Sequence, residues 1–286
     1  MDRRNFLKTG GIALLGSLTT GSAMALATPG ALGGEGADKK ATVALAMNHF
    51  GVSEADLKKV LAAALEKGGE YADLFFEHTI TNSIRLMDGA VNNSYSNIDY
   101  GVGVRVLIGD QSGYAYVENI TLEDMLKAAR TAARIASANK GNKPLNLTEK
   151  VLKKNYYTVA SPWEEVSLKD KMPYLQKLND QIFALDKRVH KVQASQSDTT
   201  SHIFFCNSEG VMFYDYRPMV TLGAVCIMEE NGRTENGYAA RAYRRGFDFL
   251  SDEVVDVIAR EAVDQTSLLF KAIKPKGGEM ALNRRS

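Results

Sequence analysis

The feature that most constrains this fold is a long stretch of two-residue periodicity. Tyr71–Thr81 places Leu74, Phe76 and His78 on one side and Asp73, Phe75 and Glu77 on the other. Tyr100–Ile108 likewise sets Val102, Val104 and Val106 against Gly101, Gly103 and Arg105. Successive strand side chains point to opposite faces, so the alternation predicts strands with one buried face. Between them, Ser83–Met87 and Val91–Ser96 flank Asp88-Gly89, a pair that tolerates the positive φ of a tight turn and predicts a hairpin. Asp110–Gly113 turns the chain into a further strand, Tyr114–Val117.

Helices bracket this meander. Ser53-Glu54-Ala55-Asp56 offers an N-cap and first-turn acids ahead of Leu57, Val60, Leu61, Ala64 and Leu65, and Gly68-Gly69 ends the run. Thr121-Leu122-Glu123-Asp124 opens a second helix reaching about Ala138, with Leu122, Met125, Leu126, Ala129 and Ala133 on its buried face. Polar Asn139–Lys150, with Gly141, Asn142 and Pro144, is the expected linker. Beyond it a helix runs from Ser167 to about Leu185. The β segments Val189–Gln196, Ser201–Cys206, Val211–Tyr216, Met219–Met228 and Arg233–Arg244 follow, with turns at Asn207–Gly210 and Glu230–Gly232. Ser251–Ile273 is a last helix. The expected class is α+β: an antiparallel sheet with packed helices as N-terminal unit, residues 43–140, then a β-rich second unit with flanking helices, residues 151–280.

The first 27 residues read as an address. Arg3 and Arg4 precede Phe6, Leu7 and Lys8, then a glycine-diluted apolar stretch ending in small-x-small cleavage options after Ala25 or Ala27. This resembles a Tat-type signal, read through its arginine pair. Export to the periplasm is expected, with a cytoplasmic location if the signal reading fails, and membrane contact only through Tat export. Residues 28–42 are a Gly-, Ala- and Pro-rich leader. With 35 Lys+Arg against 34 Asp+Glu, the net charge of +1 lacks the basic excess that nucleic-acid binding requires.

Catalytic chemistry is hard to find. The four histidines, His49, His78, His190 and His202, are far apart in sequence, and none precedes a glutamate as in a helical zinc-peptidase motif. Each reads as a strand or loop residue. Gly101-Val102-Gly103 is followed by Val106 where a dinucleotide fingerprint needs its third glycine, so close packing in a sheet accounts better for these glycines. Ser112 lies one place off the centre of a nucleophile elbow. Arg241, Arg244 and Arg245 beside Tyr238 and Tyr243 either grip a carboxylate or are a solvated strand end, and the strand end is favoured. Cys206 and Cys226 are candidate disulfide partners in an oxidising compartment, although folding before export argues against relying on the bond. No catalytic or metal residue follows from the residues themselves.

A resemblance supplies more. Tyr71-Ala72-Asp73-Leu74-Phe75-Phe76, then Asn97-Ile98-Asp99-Tyr100-Gly101-Val102-Gly103-Val104-Arg105-Val106, then Ser112-Gly113-Tyr114-Ala115-Tyr116 resemble, in order and spacing, the N-terminal half of the TldD/PmbA (TldE) family. Asn207-Ser208-Glu209-Gly210, Glu230-Asn231-Gly232-Arg233 and Pro275-Lys276-Gly277-Gly278-Glu279-Met280 extend it, so it covers roughly Val60 to Met280. The resemblance implies a zinc metallopeptidase that works with a paired TldE/PmbA-like homologue, or as a homo-oligomer, on short or unstructured peptides. In such proteins a segment like Gly278-Glu279-Met280 leads into a buried strand and a helix bearing His-Glu-x-x-x-His. Here Ala281-Leu282-Asn283-Arg284-Arg285-Ser286 is a polar, basic tail, residues 281–286, with the wrong chemistry for that strand.

The expectation is therefore a truncated TldD-like protein, inactive alone, that binds no cofactor itself, with zinc belonging to full-length members. The other two readings are a non-catalytic partner or peptide-binding subunit of a TldD/TldE-type complex, using strand addition, and an exported structural α+β protein. An open sheet edge separates the second reading from the third.

Overall fold

The computed structural model describes residues 39–136, 147–149, 159, 161–273 and 277–278. The signal segment, most of the leader and linker, and the 281–286 tail lie outside the described residues. Among the described residues, five α-helices and seven strands form one α+β body. They are α1 Lys39–Phe50, α2 Glu54–Leu65, β1 Tyr71–Met87, β2 Ala90–Ile108, β3 Gln111–Val117, α3 Leu122–Ile135, β4 Thr148–Glu149, α4 Leu168–Leu185, β5 Val189–Asn207, β6 Val211–Glu230, β7 Arg233–Tyr243 and α5 Asp252–Phe270. No helix among the described residues is long and apolar enough to cross a membrane.

Local chemistry places the boundaries. Ser53, Thr121 and Ser251 cap α2, α3 and α5 by accepting from the N–H groups of Asp56, Asp124 and Val254, and Ser167 with Asp170 forms a capping box on α4. Asp88 and Gly89 both take positive φ, 50° and 79°, as the tight β1–β2 turn requires. Helix α1 begins at Lys39, so the last residues of the expected leader are helical.

The sequence reading divides the β regions into short segments and two sheets; the structure joins them into one. The strand order is β3-β2-β1-β5-β6-β4, with β7 on β6. The junction is a β1–β5 ladder running from Asp73↔Asn207 to Met87↔Gln193. β1, β5 and β6 are 17, 19 and 20 residues long, enough to serve two cores in succession.

Both cores lie on the same face of the sheet. At one end, α1, α2 and α3 cover Leu74, Phe76, Val104, Val106, Phe204 and Cys206. At the other, α4 and α5 cover Ile84, Leu86, Val192, Ala194, Leu222 and Cys226. Leu74, Phe76, Ile84 and Leu86 are all even-numbered positions of β1, hence on one face. Close approach explains two glycines: a Cβ at Gly113 would lie 2.0 Å from the Ala132 carbonyl of α3, and one at Gly103 would lie 2.5 Å from the Tyr114 hydroxyl. The second contact bears out the packing role read for the Gly101–Gly103 pair.

The opposite face carries an aromatic group, with Phe75 beside Phe205 and Phe213 and Tyr114 and Tyr116 exposed. Next to it runs a hydroxyl row in which Thr79 donates to Ser201 at 2.9 Å and Thr81 meets Thr199 at 3.2 Å.

Candidate functional site

Between the two cores the helix-covered face turns polar. The β1–β5 register sets His78 against His202, Ile80 against Thr200 and Asn82 against Asp198. The last turn of α1 brings His49 down onto this band, and the short 3-10 turn Trp163–Glu165 brings Glu164. Three histidines remote in sequence therefore meet. His49 Nε2 lies 2.8 Å from His78 Nδ1, and the His49 ring stacks on His202 with centroids 4.4 Å apart. His202 Nδ1 bonds the Tyr214 hydroxyl at 2.5 Å and its Nε2 meets Glu164 at 3.3 Å. Tyr216 and Thr200 donate to the same carboxylate at 3.1 and 3.2 Å.

Burial, with His202 and His78 alongside, lowers the His49 pKa to about 4. Burial and the neighbouring His202 also lower that of His78. Burial alone would raise the Glu164 carboxyl, but hydrogen bonds from His202, its own backbone and Tyr216 hold it below its ordinary range. Burial and the Glu164 charge push the Tyr214 and Tyr216 hydroxyls well up.

A zinc ion requires several donors converging at about 2.0–2.3 Å on one point. Here His49 and His78 turn nitrogens to each other, and His202 turns both of its nitrogens to protein partners. Among the described residues no group of three or more His, Cys, Asp or Glu is placed to hold a metal. The residues present do not fit zinc. The cluster instead fastens α1 to the sheet.

Deeper along the same band, Lys171 of α4 pairs with Asp198 at 2.6 Å, their side chains 4% and 1% exposed. Asp198 also accepts from Gln196 at 2.9 Å and Asn82 at 3.0 Å. Such a pair needs supplementary donors to offset desolvation, and Asp198 has them. Lys171 lies 5.4 Å from the centroid of the Trp163 ring.

The band opens toward the β2 side of the sheet. β3 pairs only with Val102–Ile108 of β2, so among the described residues the outer edge of Ala90–Tyr100 has no strand partner. All eleven of those residues are exposed, including Val91, Tyr95, Ile98 and Tyr100. Natural edges are commonly blocked by Lys, Pro or bulges. This one has a single bulge, where Asn92 is the extra residue between the Leu86↔Val91 and Arg85↔Asn93 pairs, and its only charge is Asp99. A cavity of about 260 Å³ adjoins it, lined by Asn82, Ser94, Ser96, Val166, Leu168 and Lys171, among others.

The remaining candidates are accounted for individually. Cys206 and Cys226 are both free and buried. Cys206 sits opposite Met212, whereas Cys226 sits opposite Val192 near the far end of the same ladder. The 14 residues from Met212 to Cys226 span roughly 45 Å of strand, too far for the candidate disulfide between the two cysteines. Of the arginine cluster, Arg241 pairs with Glu261 and Arg245 with Asp248, each at 2.7 Å; the strand-end reading accords with those two pairs. Arg3, Arg4, Phe6 and Leu7 lie outside the described residues. Sequence reasoning missed the histidine cluster because His78 and His202 meet only through a strand register; the one available signal was their shared phase among alternating residues.

Comparison with known proteins agrees with this architecture. Residues 72–136 match the family model described as PmbA/TldA metallopeptidase domain 1, and residues 161–270 match the central domain of the same metallopeptidases. The chain belongs to the TldD/PmbA family. A protein named as a metalloprotease TldD homolog from Haemophilus influenzae is 31% identical over 221 residues, which is 74% of this chain and 45% of that protein. Thus the chain spans less than half the length of this relative. A Thermotoga maritima crystal structure, named as a candidate modulator of a DNA gyrase, superposes with TM-score 0.62 at 19% identity, covering 79% of this chain and 50% of the other. TldE from Thermococcus kodakarensis gives TM-score 0.56 at 16% identity, covering 74% and 47%. At such identities the two structures speak for the fold.

Proposed function

We propose that this chain is the non-catalytic, peptide-binding part of a TldD/TldE-type metallopeptidase assembly, exported by its twin-arginine segment to the periplasm. Peptide hydrolysis in the assembly then depends on metal-binding residues other than those described here. A TldE/PmbA-like homologue or a second copy completes the assembly. The observation that carries the reading is the edge of β2 over Ala90–Tyr100, which has no strand partner among the described residues. An extended peptide satisfies outward N–H and C=O groups there by adding a strand, with affinity from main-chain bonds. Family membership supports the metallopeptidase setting, and the engagement of both His202 nitrogens by Tyr214 and Glu164, with His49 and His78 bonded to each other, supports the non-catalytic assignment.

The test uses an unstructured fluorescent peptide and the whole exported chain. Binding without cleavage, unchanged by a chelator and abolished by N-methylating alternate peptide amides, is expected. Cleavage by the isolated chain that a chelator stops would overturn the non-catalytic assignment, and undiminished binding of the N-methylated peptide would overturn strand addition. For export, Arg3→Lys/Arg4→Lys is expected to leave the chain in the cytoplasm; unchanged periplasmic recovery would contradict the Tat route.

A further inference from the structure

We propose that the cavity beside β2 receives a carboxylate carried by an extended peptide paired on the Ala90–Tyr100 edge. The inference rests on the strand-addition reading and adds a substrate preference to it. An added strand sends alternate side chains to the helix-covered face, where the cavity lies between Ser94 and Ser96 of β2 and Leu168 of α4.

Lys171 also lines that cavity, although its residue is only 3% exposed. An ammonium group has three donors and no acceptor capacity. Among the described residues its hydrogen-bond acceptor is Asp198 Oδ2 alone. Asp198, in contrast, is supplied by Lys171, Gln196 and Asn82. The pair is thus asymmetric: the carboxylate is furnished with donors, whereas the ammonium retains donors for a further oxygen.

The lining of the cavity also favours an anionic group. Asn82, Ser94 and Ser96 contribute neutral polar groups to the wall, and no Asp or Glu lines it. Charge-assisted bonds from an ammonium to a carboxylate are stronger than neutral ones. The chemistry suits either an Asp or Glu side chain or the peptide's terminal carboxylate.

The experiment compares three labelled extended peptides of one neutral background by fluorescence anisotropy. One is amidated and uncharged, one is amidated with a single internal Glu, and one has a free C-terminal carboxylate. At least one carboxylate peptide is expected to bind about tenfold tighter than the neutral peptide, a difference of about 1.4 kcal/mol; which one gains identifies the source of the carboxylate. Lys171→Met is expected to cut the gain to about twofold or less. Ser94→Trp, which fills the cavity mouth and leaves the buried ion pair intact, is expected to do the same if Lys171→Met fails to fold. Equal binding of all three peptides, or a gain that survives the variants, overturns the proposal while leaving strand addition standing. Failure of every peptide to bind overturns strand addition, and the carboxylate site with it.

Discussion

Because long strands run from one core to the other, damage to one core should be felt in the other, and the Phe204→Ala variant tests this. Phe204 comes from the second half of the sequence but packs in the first core, fully buried, with its ring 5.4 Å from Phe76 and 6.5 Å from Phe50. Truncating a fully buried phenylalanine costs about 3–5 kcal/mol, from lost transfer energy and the cavity left behind. With a urea dependence of about 2–3 kcal/mol per molar, the midpoint should fall by about 1–2.5 M. The chain's only tryptophan, Trp163, is 2% exposed in the second core and donates to the Arg245 carbonyl at 2.8 Å. Its fluorescence therefore reports the core that the mutation does not touch. The expected result is an equal drop in midpoint by tryptophan fluorescence and far-ultraviolet circular dichroism. A tryptophan transition that stays at the wild-type midpoint while ellipticity is lost in two steps would refute a single cooperative sheet.

Further outcomes follow from the packing and the charges. The folded-state pKa of His49 is lowered to about 4 from 6.5, and His78 is also lowered. The folded state therefore takes up fewer protons than the unfolded chain, and stability falls as pH drops from about 6.5 toward 4; His49→Gln should flatten that part of a melting-temperature profile, and parallel profiles would argue against the cluster. Gly113→Ala should cost about 3 kcal/mol or more, because its Cβ would sit 2.0 Å from a helix carbonyl that must move. Gly232→Ala, with φ of 77° in open space, should cost only about 1–2 kcal/mol, and a reversed order in thermal melts would contradict the close approach of α3. The buried thiols of Cys206 and Cys226, both made less acidic by burial, should react with a thiol reagent only after denaturation, and a reductant-sensitive intramolecular crosslink would contradict their separation on the ladder.

Where local chemistry decides structure, the sequence was legible. The caps at Ser53, Thr121 and Ser167, the Asp88-Gly89 turn and the buried row Val102, Val104 and Val106 all stand where the residue pattern puts them. Strand lengths were less legible. Polar runs such as Asn82 in β1 and Ser197–Thr200 in β5 look like interruptions, yet they remain paired because each supplies the other's partners: Asn82 donates to Asp198, and Thr81 meets Thr199. Pro218 likewise marks an end in sequence but sits inside β6 opposite Thr200. Joining these segments merges two expected sheets into one. The same long-range register sets His78 beside His202 and Asn82 beside Asp198, and residues more than a hundred positions apart carry no local sign of such a meeting. The open edge, by contrast, follows from a difference in length between β2 and β3 that only the assembled sheet displays.

Amide hydrogen exchange across Ala90–Tyr100, with and without a saturating unstructured peptide, tests the central claim most directly. In the free chain the outward amides of this edge should exchange rapidly while those of Val102–Val106 are protected by β3. Peptide should then slow exchange at alternate positions of Ala90–Tyr100 and leave the covalent peptide intact. An edge already protected in the free chain, or one whose exchange does not respond to a peptide shown to bind, would contradict strand addition as the function of this sheet.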